Sequence, residues 1–87
     1  MIEKELKILN EDGLHARPAG IFVKAAGVFK SKVLLKTDQA SVNAKSIMNV
    51  MSLGLTNGMK VTLVADGEDE SLALEKLSEI INNRFEA

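Results

Sequence analysis

Residues 12–20, DGLHARPAG, hold the only histidine and the only proline of the chain, His15 and Pro18, with Arg17 between them and glycines at Gly13 and Gly20. Imidazole is the side chain whose unperturbed pKa lies nearest neutrality, and its uncharged ring is a nucleophile. Ala19, Phe22, Val23, Ala26 and Phe29 then recur at helical spacing, which sets His15 at or next to the N-cap of a helix. The free N–H groups of Ala16 and Arg17 would point near its ring. Such a helix start is an anion site carrying roughly half a positive charge. Arg17 adds a guanidinium suited to phosphate or carboxylate oxygens. The same field disfavours imidazolium, so His15 is expected neutral and nucleophilic. Nucleophile, anion cradle and cation are together what a phosphohistidine needs. On spacing alone, a histidine that merely caps a helix is the plainer reading, because short motifs recur by chance.

Ser46 opens a second short helix, SIMNVMSLG, with Gly54 just past its end. Serine is a preferred N-cap whose loss costs about 0.5–2 kcal/mol, so a purely structural hydroxyl is the first expectation. Ile47, Val50, Met51 and Leu55 cannot all face inward from two helical turns, and Met48 points another way. Helical apolar stripes are usually core. The functional reading is that Ile47, Met48 and Met51 form an exposed patch near His15, methionine being adaptable enough to fit unrelated partners. With a basic stripe of Arg17, Gly20 and Lys24 on the first helix, this would make a docking face with an apolar centre and a basic side.

The elements that must hold these residues can be read in turn. Ile2, Leu6 and Ile8 alternate with Glu3, Glu5 and Lys7 as a half-buried strand ended by the turn NEDG. Pro18 is tolerated because it lies in the first helical turn, and Gly27 marks where that helix ends or frays. KVLLKT and SVNA flank DQA as a hairpin. MKVTLVA is a fourth strand. A last helix runs from about Asp69 to Phe85, with Ala73, Leu74, Leu77, Ile80, Ile81 and Phe85 on one face and Glu75, Lys76 and Glu79 on the other. The order βαββαβα predicts an α+β open-faced sandwich. Its four-stranded, mainly antiparallel sheet is covered on one face by three helices and faces water on the other.

Composition sets the outer limits. The 87 residues are 46% apolar and form a single expected unit, residues 1–87, without repeat or linker. With three Phe and no Trp or Tyr, the core must be mostly aliphatic. The absence of cysteine removes a disulfide scaffold, a thiolate metal site and a cysteine nucleophile, and suits a reducing compartment. One histidine makes no metal site by itself. A formal charge of −1 gives nucleic acid no electrostatic hold. No stretch approaches the roughly 20 apolar residues of a membrane span, so the expectation is a cytoplasmic monomer without metal or cofactor.

GLHARPAG followed by VNAKSIMNVMSLG about thirty residues later resembles the HPr family, the histidine-containing phosphocarriers of the bacterial sugar phosphotransferase system, in its low-GC Gram-positive form. The likeness runs from about residue 3 to 84 and includes GEDESLALEKL in the last helix. It implies that His15 takes a phosphoryl group on a ring nitrogen from phosphorylated Enzyme I and passes it to the IIA component of a sugar permease. Arg17 and the backbone of Ala16 and Arg17 would hold the phosphate, and Gly20, Lys24, Ile47, Met48 and Met51 would dock the partners. It further implies that Ser46 is phosphorylated by a regulatory HPr kinase/phosphorylase, creating a surface for a catabolite control regulator. The protein would be a carrier and not an enzyme.

Three positions depart from the family's usual pattern. Asp12 stands where Asn, Ser or Thr is commoner, and its carboxylate would repel a phosphoryl group if it faces the site. Gly20 replaces Ala or Thr, at a cost of about 1 kcal/mol in a helix interior. Asn49 replaces a common glycine. The alternative function is a mainly regulatory HPr-like protein acting through phosphorylated Ser46, but that branch lacks the active histidine. An acyl carrier, suggested by Ser71 in DESLA, would be acidic and all-helical. A small phosphatase would need an arginine–asparagine loop that is not found.

Overall fold

A computed structural model of the chain describes residues 1–85. Residues 86 and 87 of the expected 1–87 unit lie outside the described residues. The elements are β1 (Ile2–Lys7), α1 (Ala16–Gly27), β2 (Lys32–Lys36), β3 (Ser41–Asn43), α2 (Ile47–Ser52), β4 (Lys60–Asp66) and α3 (Glu70–Asn82). The strands lie in the order β1-β4-β2-β3 and every pairing is antiparallel. β4, last in sequence, therefore lies between β1 and β2, a split β-α-β arrangement.

Alternation explains which face each strand buries. Val61, Leu63 and Ala65 of β4 and Val33 and Leu35 of β2 all turn to the helices and are buried. On the opposite face Val64 stands between Glu3 and Leu34 in register. It is nonetheless buried, so the open face is not uniformly wet. Its neighbours on both flanking strands shield it.

Helix α1 turns Ala19, Phe22 and Ala26 inward, the i, i+3/i+4 spacing that its sequence carries, with Val23 and Phe29 packed on the edge of the core. Phe22 has no solvent exposure and would cost about 3–5 kcal/mol if truncated to Ala. Gly27 closes the helix, as its position suggests. The hairpin loop is stitched by Thr37, whose N–H donates to the Ala40 carbonyl at 2.7 Å while its hydroxyl accepts from the N–H groups of Gln39 and Ala40.

The last helix departs from expectation. It ends at Asn82, not Phe85. The Arg84 N–H donates to the Ile81 carbonyl at 3.1 Å and the Phe85 N–H to the Ile80 carbonyl at 2.8 Å, the crossed pair of bonds of a Schellman end. Arg84 takes the left-handed position with φ 57°, and Phe85 follows with φ 60°. A non-glycine residue there costs about 1–2 kcal/mol. The turn delivers Phe85 back to the core, edge-on to Phe22 with ring centroids 6.1 Å apart.

Candidate functional site

His15 is the N-cap of α1, extended at φ −96° and ψ −165°, and its carbonyl accepts the Ala19 N–H at 2.9 Å. Its exposed ring makes no capping hydrogen bond. The backbone is helical from Ala16 onward, so the Ala16 and Arg17 N–H groups are the ones a helix start leaves without an intrahelical acceptor, and Pro18 has none to offer. The histidine therefore begins the helix without spending its nitrogens on it.

The loop ahead of His15 is fixed by backbone. Gly13 donates to the Asn10 carbonyl at 3.1 Å, the Asn10 side-chain amide donates to the Gly13 carbonyl, and Leu14 donates to the Leu55 carbonyl at 3.0 Å. Gly13 has φ +68°, and a Cβ there would lie 2.4 Å from the Leu55 carbonyl oxygen. No other residue type fits this approach. Across the contact, the Asn57 side chain donates to the Leu9 carbonyl at 3.0 Å and Gly58 to that of Ile8 at 2.8 Å. The segment between α2 and β4 thus braces the start of α1.

A cavity of about 540 Å³ opens beside His15. It is in the range of small-ligand clefts. Arg17 lines it, and so does Asp12, the residue that departs from the family's usual pattern. Glu11 adds a second carboxylate, and Pro18, Ile21 and Phe85 give an apolar floor. Arg84, which sequence reasoning passed over, also lines the cleft. Among the described residues neither guanidinium belongs to an ion pair. The cleft so brings an imidazole, two arginines and two carboxylates together.

Ser46 lies elsewhere, as the N-cap of α2, its hydroxyl accepting the Asn49 N–H at 3.4 Å. Val50 and Leu55 are core, whereas Ile47, Met48 and Met51 are 40%, 77% and 41% exposed. Of the two readings of this helix, the exposed patch and not a fully buried stripe matches this division. None of the three lines the His15 cleft, but Ile47 reaches α1, its Cδ1 3.8 Å from where a Gly20 Cβ would stand. Arg17 and Lys24 are exposed on α1.

Asp69, the N-cap of α3, has a different task. It accepts the Lys30 and Ser31 N–H groups at 2.9 Å each, and the Ser31 hydroxyl. The Ser31 hydroxyl foremost, with the Lys30 N–H next, holds its carboxyl down from 3.8 to about 2. Glu70 beside it accepts the Gly67 N–H at 3.1 Å, and this bond foremost lowers its pKa also. Among the described residues no cluster of three or more His, Cys, Asp or Glu could hold a metal, and no helix is long and apolar enough to cross a membrane.

Fold and cleft define a small α+β domain with one histidine at an exposed helix start beside a cleft. The chain belongs to the HPr family, phosphocarriers of the phosphotransferase system: the family model described as "PTS HPr component phosphorylation site" matches residues 2–83. A phosphocarrier protein HPr of Treponema pallidum is 44% identical over 86 residues, covering 99% of this chain and 98% of its own. The HPr-like protein Crh of Bacillus subtilis is 50% identical over 78 residues, 90% of this chain and 92% of its own. The crystal structure of HPr-C-His from Thermoanaerobacter tengcongensis superposes with a TM-score of 0.94 at 46% identity, over 98% of this chain and 96% of that one. An HPr dimer from the same organism matches over 100% of both chains at 45% identity and a TM-score of 0.79.

Proposed function

We propose that this single-domain protein carries a phosphoryl group on His15 between phosphorylated Enzyme I and the IIA components of sugar permeases, in the cytoplasm and without metal or cofactor. On uptake a lone pair on one His15 ring nitrogen attacks phosphorus in line; on release a ring nitrogen of the acceptor histidine attacks, and His15 is then the donor. The bond from phosphorus to the donor's histidine nitrogen breaks, and that nitrogen keeps the electron pair. The other His15 ring nitrogen carries its proton throughout, so the ring bears the phosphoryl group without further proton transfer. Arg17 and the N–H groups of Ala16 and Arg17 face the growing negative charge, a role for which preorganised donors are suited. Gly20, Lys24, Ile47, Met48 and Met51 supply the docking face. The observation that carries this reading is the imidazole at an N-cap that makes no capping bond yet opens onto a cleft with two guanidiniums.

The test is incubation with Enzyme I and phosphoenolpyruvate followed by intact mass. One added phosphoryl group, labile in acid, stable in alkali and absent from His15→Ala, is expected. No transfer from a proven Enzyme I refutes the reading.

A regulatory role is favoured by the 50% likeness to Crh. In it, an HPr kinase phosphorylates Ser46 and the product meets a catabolite control regulator. The new charge, about −1.5 to −2, would fall at a helix start that tolerates it and beside Ile47, where an apolar or acidic partner would be repelled. Ser46→Asp should then slow transfer from Enzyme I while leaving the fold intact; unchanged transfer would remove this second role.

A further inference from the structure

We propose that Arg84 is a second guanidinium contact for the phosphoryl group at His15, and that it offsets the carboxylates of Asp12 and Glu11 in the cleft they share. The inference rests on the carrier reading and deepens it. Among the described residues that line the cleft, removing Arg84 would set one guanidinium against two carboxylates, a poor place for a dianion. With it, the four charges cancel, and the helix start decides the sign of the field.

The position of Arg84 is fixed by backbone and not by its own side chain. It occupies the left-handed turn after α3, where glycine is the usual residue. The following Phe85, buried against Phe22, anchors that turn to the core. A long cationic side chain is therefore held at the rim of the cleft in a conformation that glycine would adopt more easily. A guanidinium near a helix C-terminus has a plainer task, to complement the dipole of α3. That task involves neither Asp12 nor phosphate, which is what separates the two.

Inorganic phosphate is titrated into the full chain and followed through the His15 ring proton shifts. Arg84→Gln is expected to weaken phosphate binding about two- to fivefold at low salt, the range of a solvent-screened charge contact. Asp12→Asn should strengthen it by a similar factor, and the double variant should return close to wild type. Arg84→Lys should bind nearly as the wild type does. Should Arg84→Gln fail to fold, Arg84→Gly, which suits the backbone, takes its place. Equal binding by Arg84→Gln and wild type, or no phosphate-dependent shift of His15 in the wild type, overturns the inference. Enzyme I judges the carrier reading separately. A wild type that holds phosphate through Arg84 but is never phosphorylated upholds Arg84 and refutes the carrier. A phosphorylated wild type whose phosphate affinity ignores Arg84 does the reverse.

Discussion

Helix α1 starts at His15 and helix α3 at Asp69, and in neither does the N-cap side chain bond to its own helix. Asp69 turns its carboxylate away to tie down the Lys30–Ser31 segment, whose two backbone N–H groups and one hydroxyl it satisfies. His15 turns its ring to solvent and satisfies nothing. One start is committed to holding the fold, and the other is left open to solvent. A side chain bound on all sides cannot also bind a phosphoryl group, so the proposed carrier role needs the second kind of start.

The sharpest way to break this comparison is a pair of substitutions. His15→Ala should abolish phosphoryl uptake in the mass assay while the melting temperature stays within about 2–4 °C, since a surface change away from packing moves stability by under about 0.5 kcal/mol. Asp69→Asn should do the opposite, lowering the melting temperature with transfer intact. If His15→Ala melted early or Asp69→Asn lost transfer, the division would fail.

Next in size is Gly13→Ala. A Cβ there meets the Leu55 carbonyl in a left-handed backbone. The expected loss is about 2–3 kcal/mol in urea unfolding, with transfer reduced because the His15 loop shifts.

Acid titration sharpens the Asp69 side. Its folded pKa of about 2 lies below the ordinary 3.8, so its contribution to stability is complete above that ordinary value. It is lost as pH falls from 3.8 through about 2. Glu70, also lowered, adds in the same direction. Unfolding followed from neutral to acid pH should show this decline in wild type and a shallower one in Asp69→Asn; equal slopes would mean that Asp69 is not the group responsible.

The smallest effect is expected at Gly20. An added methyl would stand 3.8 Å from Ile47 Cδ1, ordinary contact. Gly20→Ala should therefore gain about 0.5–1 kcal/mol of stability through helix propensity alone. A loss would show that α1 and α2 need the bare backbone to approach.

Much of this was legible in the residues themselves. Period-two alternation in β1, β2 and β4 and the 3.6 spacing of Ala19, Phe22 and Ala26 are direct signatures of half-buried elements. The placement of His15 at a helix start followed from Pro18 and the pattern after it. What stayed hidden was set by tertiary contact. Ile81 and Phe85 are four apart and read as one more helical turn, yet the chain leaves the helix at Asn82 and brings Phe85 to the same face by a tighter route. No glycine marks that end, so Arg84 had no signal to place it in the cleft. Likewise, only the fold could tell that Asp12 lines the same cleft as His15 and that Val64 is buried on the open side.

The placement of β4 between β1 and β2 has a consequence for how the molecule comes into being. Until residues 60–66 are made, β1 and β2 have no strand between them and no ladder to share. Closing that gap joins parts of the chain far apart in sequence, the kind of contact that slows folding. During synthesis His15 thus waits for a strand made well after it. Leu55, which receives the Leu14 N–H, also lies downstream of everything it steadies. A chain without β4 would display the His15 motif without the geometry around it, so a partner that reads this shape meets only molecules in which β4 has been made.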